Sequence, residues 1–356
     1  MVASNDGEGD DMVSFLKRSD DKVRTSGFIL VLTFFIMSAT ILITTYLLNR
    51  LFAGEQQTTF FEEREQAKML ALGGLELIKS RLEVLETTQD EKIRKEQFEW
   101  LLTNLNEWSE LRFSQKTDGV DGTVQFFLSC EDGKININRF FDATKKNYVF
   151  NSPEHKAFSL MVTKLASKQL ALPLIEELEK ALKKRKIRLD DLSELLVTPS
   201  FAEGTVEYTL FPRLGDVQKT KSVCLGDIFT LYSEEIWQVN PLYISKGLQQ
   251  LFGFKPFPQN KEERAKIVKG LVEKVQSKMN WPASWDTLLA PIYGKKFAQL
   301  DPQLMTLFGA TGGARTFSVV CYGKFGEQSQ GVCALLQRRL GKDNRAFYVI
   351  RRLYWI

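Results

Sequence analysis

The sequence predicts an α+β chain: one long N-terminal helix that begins in a membrane, then strands placed before and after a helical middle. Three observations predict it. Gly27 to Leu48 (GFILVLTFFIMSATILITTYLL) carries no charge over 22 positions, enough for one bilayer-crossing helix. Beyond it, apolar residues continue at three- and four-residue steps to Glu86 without a break. Later still, β-like runs at 123–138 and from Thr316 onward flank a region whose prolines punctuate helical spacing.

The chain begins polar and acidic, and residues 1–16 are expected to form a disordered tail. Lys17, Arg18, Lys22 and Arg24 then precede Thr25, Ser26 and Gly27. This basic flank, set against Glu55, Glu62, Glu63 and Glu65 on the other side, puts the N-terminus in the cytoplasm, although Arg50, Arg64 and Lys68 blunt the contrast. A plain signal anchor fits the apolar run. A secretory signal peptide fits poorly, because the run is too long and no A-x-A pattern follows. A leader ending in glycine also fits, cut after Gly27 so that Phe28 becomes the mature N-terminus with the apolar segment retained.

From Thr58 to Glu86, the residues Ala67, Leu70, Ala71, Gly74, Leu75, Leu77, Ile78 and Leu82 define one apolar helix face. Gly54 and Gly73-Gly74 each cost about 1 kcal/mol of helix propensity, yet small residues let a neighbour approach closely. An unbroken helix from Phe28 to Glu86 would be roughly 90 Å long, of which about a third crosses a membrane, so the remainder must pack on something. Residues 90–112 read as a second amphipathic helix through Phe98, Leu101, Leu102, Leu105 and Trp108. Thr123–Cys130 reads as a strand, Glu131-Asp132-Gly133 as a turn, and Lys134–Asn138 as a returning strand. A related layout follows in Ile228–Tyr232, Ser233-Glu234-Glu235 and Ile236–Asn240. Helices are expected over Glu154–Leu172, Leu174–Lys186, Leu189–Val197, Ser245–Phe252 and Lys261–Met279. The end of the chain reads as strands Thr316–Tyr322, Gly331–Leu336 and Ala346–Leu353, with a polar turn near 324–330.

Composition excludes more than it selects. Lys+Arg 48 against Asp+Glu 44 gives +4, too little to argue for nucleic acid. The run Lys183-Lys184-Arg185-Lys186-Ile187-Arg188 suits a solvated helix end. Cys130, Cys224, Cys321 and Cys333 form no C-x-x-C pair, and with one histidine zinc ligation is excluded as a reading. All four cysteines follow the membrane segment. A hairpin centred on Glu327 would set Cys321 against Cys333 in disulfide range; four free thiols fit the sequence equally. His155 follows Pro153-Glu154 at an expected helix start, where it should be exposed, and no G-x-S-x-G, P-loop or H-E-x-x-H occurs, so the chain does not read as an enzyme. Leu192–Pro199 and Leu248–Gly253 can be read as helix-hairpin-helix units that hold nucleic-acid phosphates, but Phe254 and Phe257 suit packing better.

Taken in order, four segments give the chain a family resemblance. Arg24–Leu48 resembles a prepilin leader with its hydrophobic half-helix, and Gln66–Leu82 (QAKMLALGGLELIKSRL) resembles an "A-x-x-x-A-x-x-G-L-E" run. Glu131–Asn138 (EDGKININ) resembles a "D-x-x-G-K-I-N-L-N" motif, and Ile236–Leu251 resembles "I-N-V-N-T-A-x-x-x-x-L", departing at Gln238 and Pro241-Leu242. Together with the terminal strands from Phe317, these are similar to the K-subunit minor pseudopilins of type II secretion systems over about the whole chain. The resemblance implies a pilin-like fold, with the long helix packed on an antiparallel sheet and a large α-helical domain inserted between strands. It divides the chain into a leader (1–27), a transmembrane half-helix (28–48) and the pilin-like helix with first strands (49–140). The inserted helical domain follows (141–300, with the second motif near 228–240), and then the closing strands (301–356).

It also implies cleavage and N-methylation by the prepilin peptidase at Gly27/Phe28. The mature chain would sit in a bacterial inner membrane as a single pass, with its C-terminal domain in the periplasm. Its partners would be other minor pseudopilins, the major pseudopilin, and exported protein or the outer-membrane channel. Pilin-like chains usually carry Glu at the fifth mature position, where Leu32 stands here. K subunits lack that Glu. A buried carboxylate needs a neighbour's N-terminal amine, and a subunit at a filament tip has no neighbour above. Ser38, Ala39 and Thr40 would permit close helix packing. The acidic stretch that family members carry in the helical domain is represented by Asp190-Asp191 and Glu194, a thin basis for a calcium site. A type IV pilus-like minor pilin and a membrane-anchored helix-hairpin-helix protein are the alternative readings.

Overall fold

The computed structural model describes residues 10–150, 155–156, 159, 172–196, 207–210, 222–232, 238–255, 257–258, 260–275, 280–309 and 314–356. The chain divides into two compact units, Met1–Glu63 and Arg64–Ile356.

The described part of the first unit is helix, the opening part of α1 (Asp10–Thr87). Residues 10–16, expected to be disordered, are helical. Within 28–48 nearly every apolar side chain is exposed, Phe34 and Phe35 at 72%. Hydroxyls in this stretch fold back on the helix: Thr33 donates to the Ile29 and Leu30 carbonyls at 3.0 and 2.9 Å, Ser38 to Phe34 at 2.9 Å, and Thr40 to Ile36 at 2.8 Å. A polar group satisfied inside its own helix needs no water, the condition hydrocarbon imposes.

The second unit begins with the rest of α1, whose Ala67, Leu70, Ala71, Leu75, Ile78 and Leu82 are buried as the spacing predicts. They cover one face of a five-stranded antiparallel sheet. α2 (Glu91–Asn104) is capped by Asp90, whose carboxylate accepts from Lys92 N at 2.8 Å and Ile93 N at 3.3 Å. It stops short of the expected residue 112. Asn106 takes a positive φ of 59°, and Trp108–Phe113 becomes β1, an edge strand. The alternation Trp-Ser-Glu-Leu-Arg-Phe is the strand signal that helical counting overrode. Carbonyls at the end of α2 that lack helical partners are taken by buried Arg264, which reaches Leu102 O at 3.4 Å and also Leu105 O, the residue after the helix.

β2 (Gly122–Cys130) lies beside β1. The expected hairpin after it does not form. Glu131–Gly133 is a single 3-10 turn, and the next strand, β3 (Ile135–Asn136), runs parallel to β4 (Phe229–Thr230), pairing Ile135 with Phe229 and Asn136 with Thr230. The return strand of the first related segment thus pairs with the first strand of the second. In the second segment the expected turn 233–235 and residues 236–237 of the return lie outside the described residues, and Val239, further along that return, bridges Phe308. An asparagine in each motif caps the turn that follows: Asn136 Oδ1 accepts from Asn138 N at 3.0 Å, and Asn240 Oδ1 from Leu242 N at 3.1 Å.

Helices α3 (Leu172–Lys183), α4 (Lys246–Leu251), α5 (Lys261–Val272) and α6 (Trp281–Leu288) build the middle of the chain. Their core is aromatic: Phe254 stacks on Tyr293 at 4.9 Å, and Trp285 lies 5.4 Å from Phe308. α3, α4 and α5 fall where helices are expected; α3 starts two residues earlier and ends three earlier than expected, and α4 and α5 are shorter. Leu189–Val197 contributes only a turn at Ser193–Leu196, and most of the expected helix 154–172 lies outside the described residues. The chain returns to the sheet as β5 (Thr316–Phe325), β6 (Gln328–Leu340) and β7 (Ala346–Trp355), giving the order β1-β2-β5-β6-β7. Helix and sheet meet at glycines. A Cβ on Gly323 would lie 2.0 Å from Ala67 O, and one on Gly74 would lie 2.5 Å from Val124 Cγ1. The long helix on an antiparallel sheet, with a helical region between β2 and β5, is the pilin-like α+β architecture the resemblance implies.

Candidate functional site: an uncovered apolar helix and a buried polar joint

Two features stand apart from ordinary packing. The first is the apolar stretch of α1. Gly27 lies within the helix and Phe28, next to it, is 68% exposed. By length and composition, α1 alone among the described helices is fit to cross a membrane. Ser38 and Ala39 are half-buried by their own helix, so a small-residue step lies in an otherwise bulky apolar surface.

The second feature joins the sheet to the helical region. The Glu131-Asp132-Gly133-Lys134 segment leaves β2 with all four residues buried. Lys134 donates to the Glu131 carboxylate and to Ser318 Oγ at 3.3 Å on β5. Burial alone would lower the Lys134 pKa; the charge and hydrogen bond of Glu131 reverse that and raise it. Asp132 Oδ2 accepts from Arg315 N at 2.6 Å and Thr316 N at 3.3 Å, which fixes where β5 begins. Burial raises the Asp132 pKa, and those two hydrogen bonds oppose the rise. Gly133 is required because a Cβ there would lie 1.9 Å from Tyr243 O. On the other copy, Asp227 accepts from Gly247 N while its second oxygen, Oδ1, is buried without a partner. Burial pushes its carboxyl up to about 6, with Lys134 and the Gly247 hydrogen bond pulling the other way. This is a structural joint: the charges face one another and the chain's own backbone.

The remaining expected site residues fall apart on inspection. All four cysteines are free thiols. The hairpin turns at Gly326-Glu327 and pairs Phe325 with Gln328, half a residue from the centring on Glu327 that would oppose the cysteines. Cys321 therefore faces Val332, and Cys333 faces Val320. The two sulfurs sit on opposite sheet faces, Cys321 in the main core and Cys333 with Phe127 and Val320, so the expected disulfide is corrected by register. Burial pushes the Cys333 thiol up to about 12.

His155, expected to be exposed, is 4% exposed. It lies between Phe140 and Phe150 with Nε2 3.2 Å from Glu179, and burial lowers its pKa. The aromatic pair that encloses it is distant in sequence on one side, which spacing alone does not reveal. Asp191 is taken by Arg352 at 2.8 Å and by the Tyr354 hydroxyl, and Glu194 by Arg185. These carboxylates do not fit a calcium site, and among the described residues no group of three or more His, Cys, Asp or Glu is placed to hold a metal. At Leu248–Gly253 the glycine takes a positive φ of 61°, but Phe252 and Phe254 behind it are buried, so the loop is packed into the core.

No family model and no curated protein matches the sequence. Among solved structures, the chain is similar to one in the crystal structure of the GspK-GspI-GspJ complex from the enterotoxigenic Escherichia coli type 2 secretion system. The likeness covers 84% of this chain and 99% of that one, at a TM-score of 0.44 and 13% identity.

Proposed function

We propose that this chain is a membrane-anchored minor pseudopilin of a type II secretion system, acting by binding rather than by chemistry. One observation carries the reading. A single helix, α1, combines an uncharged, uncovered apolar stretch starting beside Gly27 with a segment whose buried face closes an antiparallel sheet. An apolar stretch left uncovered by the described residues calls for lipid and sister helices. The basic residues before Gly27 make that stretch the part retained after a leader is cut. Leu32, in place of an acid, suits a subunit at the tip of a short periplasmic filament, where it starts or caps assembly with other pseudopilins. The helical region between β2 and β5 is the part left to meet exported protein or the outer-membrane channel.

N-terminal sequencing of the full chain purified from membranes tests the reading. Phe28 is the expected first residue, and Gly27→Ala should leave the leader attached and abolish assembly. A native chain that still starts at Met1, or normal trimming of the variant, would overturn it.

A further inference from the structure

Between the β3–β4 pair and the sheet edge lies a cleft of about 350 Å³ with Arg139, Arg188, Arg351 and Arg352 in its walls. Only Asp190 opposes them among the lining residues; Asp191, just outside, pairs with Arg352 at 2.8 Å. Arg139 and Arg188 are exposed and make no ion pair among the described residues, and Arg188 lies 5.8 Å over the Phe141 ring. Arg351 and Arg352 sit 5.8 and 5.5 Å over Tyr232, which holds their guanidinium groups against one aromatic plane. The fold itself assembles this charge: the arginines come from the turn after β3, the segment after α3, and β7.

We infer that this cleft binds the carboxylates of an acidic protein segment. Guanidinium groups present paired N–H donors that match a carboxylate, and desolvation between protein walls strengthens such pairs. Two features favour a peptide over inorganic phosphate. Asp190 at the cleft repels a second negative charge on one ligand atom cluster, whereas singly charged side chains can avoid it. β7 is the last strand of the sheet and carries two of the arginines, so an extended chain following that edge would pass its side chains over the cleft. The inference goes beyond the secretion reading and does not depend on it.

The test uses the full chain in detergent, with fluorescein-labelled octaglutamate and inorganic phosphate as probes and fluorescence anisotropy as readout. The peptide should bind, more weakly as salt rises. Replacing Arg139→Gln and Arg188→Gln together should weaken it at least about tenfold, the size expected for losing charge-assisted hydrogen bonds. Lys183→Gln with Lys184→Gln, exposed charges at the end of α3, should change it less than about twofold, the size of a surface charge effect. Arg139→Glu with Arg188→Glu should transfer binding to labelled octalysine, an outcome a misfolded variant would not give. Absent peptide binding, equal weakening by the two glutamine pairs, failure of the reversed pair to take octalysine, or phosphate held more tightly than the peptide would each overturn the inference.

Discussion

Residues 28–48 and 64–87 belong to one helix and share its apolar vocabulary, yet their side chains meet opposite fates. Phe34 and Phe35 are 72% exposed, whereas Leu75, Ile78 and Leu82 are at most 1% exposed. What separates them is arrangement. In the second stretch the apolar residues form one face, interrupted by Glu76, Lys79 and Arg81 on the other. In the first they surround the helix. A one-sided helix is completed by a sheet, and an all-round one is completed only by lipid or other helices. Apolar content alone therefore does not distinguish a core from an anchor.

The largest test of this contrast pairs Leu75→Ala with Leu42→Ala. The first should lower unfolding stability by about 2–5 kcal/mol, because it opens a cavity against β2 and β5. The second should leave thermal unfolding of the 64–356 unit within about 0.5 kcal/mol. Equal losses, read from denaturant midpoints in detergent, would break the contrast.

The contrast extends to charge, since the apolar stretch has none and the other unit buries several. The Asp227 carboxyl, raised to about 6 by burial, keeps a proton that the unfolded chain has already released. Its stabilising share is full below about pH 4, the unfolded value, and is lost as pH rises through 6. Asp227→Asn retains an acceptor for Gly247 N and cannot ionise. The native chain should lose roughly 2–3 kcal/mol relative to this variant between pH 4 and pH 7. Parallel pH–stability curves for the two would exclude an ionising Asp227.

The smallest expected effect separates two adjacent glycines. Gly73 faces open space, so Gly73→Ala should raise stability by up to about 1 kcal/mol through helix propensity. Gly74→Ala drives a Cβ into Val124 and should give no gain or a loss of about 1 kcal/mol. Melting temperatures measured side by side check the sign.

The parts of the fold written in periodic pattern were legible. The buried face of α1 and strands β2, β5, β6 and β7 sit where the spacing placed them. Errors arose where pattern is too short to decide. β1 hid inside a helical count, because Leu105 and Trp108 are three apart on a helix and also begin an alternating strand. The Glu131–Asn138 segment looked like a hairpin because its turn and strand residues are real. Its partner, Phe229–Thr230, is almost a hundred residues away, and no local rule reaches that far. One residue of hairpin register separated the expected disulfide from two thiols on opposite faces. The arginine cleft was invisible for the same reason as the β3–β4 pair: its residues are scattered over the chain and only the topology collects them.

β2 ends at Cys130 opposite Phe317, near the start of β5, so residues 131–315 leave and re-enter the sheet at one point. To the five strands and their helix, that whole excursion is a detour between next-door neighbours. Such a layout lets the detour grow, shrink or be exchanged while the scaffold beneath stays as it was, because closing a longer loop adds little entropic penalty. At that one point Asp132 clasps Arg315 and Thr316 and Lys134 reaches Ser318, while Arg264 on Leu102 and Leu105 and Asp191 on Arg352 tie the excursion to the scaffold elsewhere. A lineage could rewrite the surface of the excursion and leave the sheet and its helix in place, provided those ties are kept.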